Sequence, residues 1–361
     1  MTSIHSRRPA RVVVLAGLAL ACLAVCVGAA RPVPSSSHGS PRLLGRQGSA
    51  VAGAAQRAAT RTAAHATFVG GTYVTANGAS VNVRVSDAFP DSSDRGRRWA
   101  EFFSMMPHGA ELSTVTVTVV TAAELPASCD SDALGCYRPG EITIADEVLG
   151  GITPEEVARH EYGHHVAASR LNSPWSALDW GPKRWATVAH VCGDVTAGTA
   201  HPGDEGGHYS ENPAEAWAEV YRVLAERAAG LPGNTWSIVV GRYFPDEAVL
   251  AAAREDVMHP WTAPTTRRFS GTFTKTGKRQ WRRTLATPLD GNVTVRLSMP
   301  RGTRHDVTLL AANGRTVLGH WSAFTSTTRT ITTTVCGQRS VVLRVTRGNR
   351  PSPFSVAVTS A

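Results

Sequence analysis

Residues 152–171 read ITPEEVARHEYGHHVAASRL, and the reading of this stretch decides the fold. Thr153, then Pro154, then Glu156 three residues after the threonine, is the start signal of a capped helix. The hydroxyl accepts from a free N–H of the first turn, and the carboxylate reaches back to the cap. Within that helix His160, Glu161 and His164 stand in the order H-E-x-x-H. Residues four apart share a helix face, so the two imidazoles address one point. Neutral imidazoles at this spacing suit Zn2+, and Glu161 falls where it can take a proton from a water that the metal activates. His165 lies off that face. Gly163, Ala167 and Ala168 are small, as a helix pressed against a partner helix requires. A buried helix whose histidines bond only to neighbouring backbone would carry the same letters, so the third ligand decides between the two.

The second stretch is NPAEAWAEVYRVLAERAAG, residues 212–230. Asn212 caps a helix there, Pro213 opens it and Gly230 closes it. Glu215 and Glu219 lie one turn apart among Ala216, Trp217, Val220 and Tyr221. An acid on the apolar side of a helix needs a partner, and a metal with its histidines supplies one. Glu215 is therefore the candidate third ligand, and Glu219 the candidate outer partner that orients a ligand histidine. His201, Asp204, His208 and Glu211 also carry donors, but they sit in a Gly-rich connection. A metzincin would need Gly at 167 and His at 170; Ala167 and Arg170 exclude that subclass.

Outward from the two helices, the segments TYVTANGASVNVRVSD and STVTVTVVTA alternate as strands do, with a helical stretch around RGRRWAEFFSMM between them. GEITIADEV adds a short strand. After HPWTAPTT the chain becomes a run of short Val- and Thr-rich strands, near 281–285, 292–299, 306–311, 316–320, 328–334, 340–347 and 353–359. Evenly spaced strands without helices predict a β-sandwich. No repeat recurs at the spacing of a solenoid or propeller.

Charge follows the same division. Residues 67–265 carry 13 Lys and Arg against 26 Asp and Glu, a net of −13, whereas residues 266–361 carry 16 against 2, a net of +14. The overall +9 therefore describes the tail and not the whole chain. At the amino terminus, a basic start (MTSIHSRRPAR), an apolar run and a small-residue end predict a signal peptide over residues 1–30, cut after Ala29 or Ala30. An uncleaved anchor is the rival reading, and Cys22 and Cys26 lack a lipobox. Residues 31–66 are rich in Ser, Ala, Gly and Arg and read as a disordered linker or propeptide. Cys129, Cys136, Cys192 and Cys336 remain, an even number for an exported chain. Of three connectivities, Cys129–Cys136 with Cys192–Cys336 is preferred; no C-x-x-C spacing supports a structural zinc site.

HEYGHH followed by ENPAEAWAEVYR resembles the gluzincin metallopeptidases, in particular the small secreted types and the anthrax lethal-factor-like group. That resemblance implies His160, His164 and Glu215 as zinc ligands and Glu161 as general base. Tyr209, six residues before Glu215, would match the family's oxyanion-stabilising tyrosine, with His208 as the rival for that role. The thermolysin-type N-E-x-x-x-D signature is absent. EITIAD resembles the edge strand on which such enzymes lay an extended peptide. The tail resembles the bacterial pre-peptidase C-terminal domain, a jelly-roll-like module. The implied fold class is α+β: a zincin-like domain over 67–265, with a twisted sheet and the two helices, then an all-β sandwich over 266–361.

The expected function is a secreted zinc endopeptidase acting on protein or peptide substrates. The alternatives are a wall-associated binding protein with a structural zinc helix pair, and a peptidoglycan-directed zinc amidase. The basic sandwich is expected to meet the acidic part of its own chain or an anionic cell-wall polymer. No nucleic-acid partner is expected, since no aromatic-basic stripe occurs and export is expected. The chain is expected to be a monomer without stable membrane insertion.

Overall fold

A computed structural model describes residues 67–130, 132–321 and 327–361. The expected signal peptide and the linker or propeptide, with Cys22 and Cys26, lie outside the described residues. No helix among the described residues is long and apolar enough to cross a membrane.

Strands β1 (Phe68–Val74) and β2 (Ser80–Ser86) form an antiparallel hairpin around Asn77-Gly78, where Gly78 takes φ +83°. Alternation sends Val81, Val83 and Val85 of β2 to one buried face. Helix α1 (Ser92–Met105) crosses over to β3 (Thr116–Val120), which pairs parallel with β2. β4 (Gly135–Arg138) and β5 (Glu141–Ala145) complete a mixed sheet in the order β1-β2-β3-β5-β4. The EITIAD strand is therefore interior, parallel to β3 on one side and antiparallel to β4 on the other. This corrects the expectation that it forms the edge. The edge is β4, whose four residues GCYR look like loop because a glycine and an arginine bound them. Cys136 of β4 is bonded to Cys129.

The H-E-x-x-H stretch is helix α2 (Pro154–Ala168), and its capping box is formed: Thr153 N donates to Glu156 Oε2 at 2.8 Å and Glu156 N to Thr153 Oγ1 at 3.3 Å. Three short helices follow: α3 (Ala177–Trp180), α4 (Lys183–Val188) and α5 (Val191–Ala197). The last occupies the start of what reads as a Gly-rich connection. Helix α6 (Pro213–Ala228) carries the glutamates. Asn212 Oδ1 accepts from Ala214 N at 3.0 Å at its start, and Gly230 follows its end at φ +76°. A further helix not foreseen, α7 (Glu247–Met258), packs on α4 and α6 and starts at Asp246, which accepts from Val249 N at 2.8 Å.

α2 and α6 meet at Gly163. A Cβ there would lie 2.9 Å from Ala218 Cα and 3.1 Å from Tyr221 Cβ. Trp217 Nε1 also donates to Gly163 O at 2.7 Å, which fixes the register of the two helices. Helix propensity alone favours Gly163→Ala by about 1 kcal/mol. The obstructing atom is backbone and cannot swing aside, so the clash wins. Gly163→Ala is expected to lose about 1–3 kcal/mol in a denaturant melt, and a stabilised variant would contradict this packing.

The rest of the chain forms two four-stranded antiparallel sheets, built from β6 (Thr265–Thr272), β7 (Gln280–Ala286), β8 (Gly291–Ser298), β9 (Asp306–Ala311), β10 (Val317–Trp321), β11 (Thr328–Val335), β12 (Ser340–Thr346) and β13 (Pro353–Ser360). Their orders are β10-β9-β12-β7 and β11-β8-β13-β6. Val295, Leu297, Val307, Leu309, Leu343 and Val345 fill the space between them. β6 is the strand that sequence pattern missed. It is an edge strand with exposed Thr and Arg positions, so its alternation carries little hydrophobic contrast.

The sandwich is fastened to the helical part through α4 and α5. Cys192 of α5 is bonded to Cys336 across 144 residues. Closing so long a loop in the unfolded chain stabilises the fold by about 5 kcal/mol on the chain-entropy account. Asp290 N donates to Thr187 Oγ1 at 3.1 Å, and Arg339 Nη2 to Thr187 O at 3.2 Å. Both preferred disulfide pairings are present, and they suit an oxidising compartment.

Candidate metal centre

Capping fixes where α2 and α6 begin, and the Gly163 contact fixes how they cross. Together these bring the functional side chains to one place. His160, Glu161 and Glu215 are 0% exposed and His164 is 3% exposed. His160 Nε2 lies 3.2 Å from Glu215 Oε2, and His164 Nε2 lies 3.4 Å from Glu215 Oε1. The two imidazole rings are 5.1 Å apart and inclined by 77°, so their nitrogens converge on the carboxylate.

Those separations test whether a metal ion suits the group. Around a tetrahedral ion with bonds of about 2.0–2.2 Å, neighbouring donors stand roughly 3.3–3.6 Å apart. Of the observed spacings, 3.4 Å falls on such an edge and 3.2 Å lies just inside it. Among the described residues His164 Nε2 and Glu215 Oε1 have no hydrogen-bond partner, nor has either oxygen of Glu161, although all are buried. Unpartnered buried polar atoms are costly, and a cation between the histidines and Glu215 would satisfy His164 Nε2 and Glu215 Oε1 together. Burial holds both histidines at a pKa of about 4, which keeps them in the neutral form that binds metal.

A third carboxylate, Glu205, belongs to the same surroundings. Its Oε1 accepts from Asn212 Nδ2 at 3.0 Å, and its Oε2 is buried without a partner. Burial, and then the charge of Glu215, pushes Glu205 up to about 8. Glu161 is raised well above the carboxylate range, first by burial and then by Glu215 and Glu205. Burial and mutual repulsion make these three acids costly to ionise, and a divalent cation offsets that charge.

Tyr209, half-buried, donates its hydroxyl to Glu215 Oε2 at 2.5 Å. His208 turns away to Glu211, with Nδ1 3.0 Å from Glu211 Oε2. Tyr209 and not His208 therefore stands at the carboxylate. His165 leaves the group, as expected, and its Nε2 lies 2.9 Å from Glu111 O.

Glu219 departs from expectation. Its Oε1 accepts from Arg222 Nη2 and from Trp236 N, each at 2.8 Å, and its Oε2 from Arg222 Nε at 2.9 Å. His160 Nδ1 has no hydrogen-bond partner. A planar guanidinium three residues on claims the carboxylate in bidentate fashion, so Glu219 does not bond to a ligand histidine. It acts one step removed: it holds the Trp236 backbone, and the Trp236 ring stacks on His160 at 5.6 Å and 22°. Tyr137 of β4 lies against His164 in the same way, at 6.2 Å and 17°. Sequence reading missed Glu205, Trp236 and Tyr137. Each lies on a short strand or loop with no periodic pattern; the acid in DEGGH was the one available signal.

No protein-family model matches this sequence, and no curated protein matches it. Among solved structures, the C-terminal region is similar to the pre-peptidase C-terminal domain of collagenase from Bacillus anthracis, with 12% identity over 27% of this chain and 89% of that chain and a TM-score of 0.23. The Yersinia pseudotuberculosis-derived mitogen is similar at 13% identity over 27% of this chain and 87% of that one, with a TM-score of 0.21. The lysozyme inhibitor PliG of Aeromonas hydrophila is similar at 11% identity over 27% and 85%, with a TM-score of 0.19. These are likenesses of fold over about a quarter of the chain, and the sandwich stands on its own strand pairing.

Proposed function

We propose that the chain is a secreted zinc-dependent endopeptidase. The observation that carries this reading is the convergence of His160, His164 and Glu215 at metal-ligand spacing, with the free carboxylate of Glu161 beside them. His160, His164 and Glu215 would hold the ion. When bound, Zn2+ makes water acidic enough to lose a proton near neutral pH and polarises a carbonyl oxygen.

The protein side chains perform the remaining work. Glu161 takes the proton of the attacking water and passes it to the leaving amine, and among the described residues no donor competes for its oxygens. Tyr209 turns its hydroxyl hydrogen toward the oxygen on which negative charge grows. The outer edge of β4 offers unpaired backbone groups to an extended peptide; a Cβ on Gly135 of this strand would sit 3.4 Å from Glu161 Cγ. A peptide laid there passes beside the base. Export is supported by the basic-then-apolar amino terminus and the two disulfides.

A peptidoglycan-directed amidase is the second reading, favoured by the +14 charge of residues 266–361. Those residues would keep the enzyme near an anionic wall polymer. The experiment that tests the main reading presents the mature chain with an unfolded protein, a mixed peptide library and purified peptidoglycan, with and without a chelator. Chelator-sensitive cleavage within peptides is expected. Release of stem peptides alone selects the amidase, and intact substrates throughout reject both. Tyr209→Phe is expected to keep its metal and to lose roughly 10²–10³-fold in kcat. An unchanged kcat would remove Tyr209 from the reaction.

A further inference from the structure

We propose that His201, His208 and Glu211 form a second divalent-metal site, with no ligand in common with the buried group. It stands whether or not the buried group is catalytic. The loop between α5 and α6 is closed by its own backbone: His201 N donates to Glu211 O at 3.1 Å, Glu211 N to His208 O at 2.9 Å, and Asp204 N to His201 O at 3.2 Å. These bonds bring together residues ten apart in sequence. The imidazoles of His201 and His208 stack at 3.8 Å with 17° between their planes. Both rings turn a nitrogen to the same oxygen. His201 Nε2 lies 3.4 Å from Glu211 Oε2, and His208 Nδ1 lies 3.0 Å from it. The three donor atoms lie within 4.8 Å of one another.

The donor set names the class of ion. Two imidazoles and one carboxylate suit Zn2+, Ni2+ or Cu2+, whereas Ca2+ and Mg2+ take shells of oxygen. Direct hydrogen bonds explain the arrangement less well. Both histidines would have to turn an N–H on one and the same oxygen, leaving the other Glu211 oxygen outside the cluster. One cation among the three donors removes that conflict. The side chains are 32%, 52% and 32% exposed for His201, His208 and Glu211, so the ion exchanges with solvent and is held more weakly than a buried one.

The position gives the ion a consequence. His208 and Glu211 bracket Tyr209, within the short turn Tyr209–Glu211 that delivers the tyrosine hydroxyl to Glu215. An ion bound to both flanks holds that turn in the conformation seen here. Occupancy of the outer site thus sets how well Tyr209 is placed at the inner one.

The test is a Zn2+ titration of the mature chain, with bound ions counted by mass spectrometry of the intact protein. Wild type is expected to take one ion tightly and a second at higher free zinc. His201→Gln combined with His208→Gln should lose the second and keep the first. Because these side chains lie at the surface, the pair variant is expected to fold, with far-UV circular dichroism as the check; Glu211→Gln is the independent second variant. Amide exchange over residues 209–212 should slow about ten-fold as the second ion binds to wild type, and not in the pair variant. Saturation of wild type at one ion, or a second ion retained by both variants, overturns the proposal. Loss of the tight ion in Glu215→Ala is a separate matter and bears on the buried group alone.

Discussion

Glu161→Gln is expected to keep the metal and to lower peptide-bond hydrolysis by roughly 10³–10⁴-fold. The substitution keeps the shape of the side chain and removes only its ability to accept a proton. His160, His164 and Glu215 are untouched, so metal content should not move. Burial of Glu161 beside Glu215 and Glu205 leaves its carboxylate short of partners. A neutral amide relieves that repulsion, and the variant should therefore be no less stable than wild type. The measurement pairs kcat/KM on a cleavable peptide with metal per chain. A variant that hydrolyses within a few-fold of wild type would remove Glu161 from proton transfer, and a variant that loses its metal would make it a ligand.

The second large effect concerns stability. Chelation should lower the unfolding free energy by about 4 kcal/mol relative to protein held at free zinc a thousand-fold above Kd. The sign follows from the site itself. Without a cation, Glu161, Glu205 and Glu215 share one buried space, and the hydrogen bonds to them among the described residues come from Tyr209, Asn212 and His160. Binding to the folded chain alone shifts the equilibrium by mass action. Thermal melts with and without chelator read the difference, a drop of roughly 6 °C for a chain of this size. In Glu215→Ala a ligand and one of the repelling charges are both gone, so chelator should no longer move the melt. A chelator effect of equal size in wild type and variant would detach the stabilisation from this group.

The site was legible in sequence to the extent that it is helical. A capping box, a Pro at the first turn and a four-residue histidine spacing are local signals, and they locate α2 and its metal-facing side without tertiary information. Glu215 could be inferred because an acid in an Ala- and Trp-lined helix needs a partner. The same reasoning went astray at Glu219, since a buried acid can equally be met by an arginine one turn on, and Arg222 does so. Trp236 and Tyr137 pack on the histidines from a loop and a four-residue strand, where no period exists to read. The sheet order was out of reach for a related reason: EITIA has the same alternation whether a second neighbour lies beside it or not. The sandwich was visible as a class from its strand spacing, while its edge strand β6, rich in exposed Thr and Arg, was not.

His160, His164 and Glu215 together are expected to hold one ion. The most direct test counts the zinc that survives dialysis of the purified mature chain, beside Glu215→Ala. The predicted result is one ion per chain in wild type and none in the variant. An ion retained in the variant would place the third ligand elsewhere, and none in wild type would leave the histidine helix a structural element; either result overturns the three-ligand site.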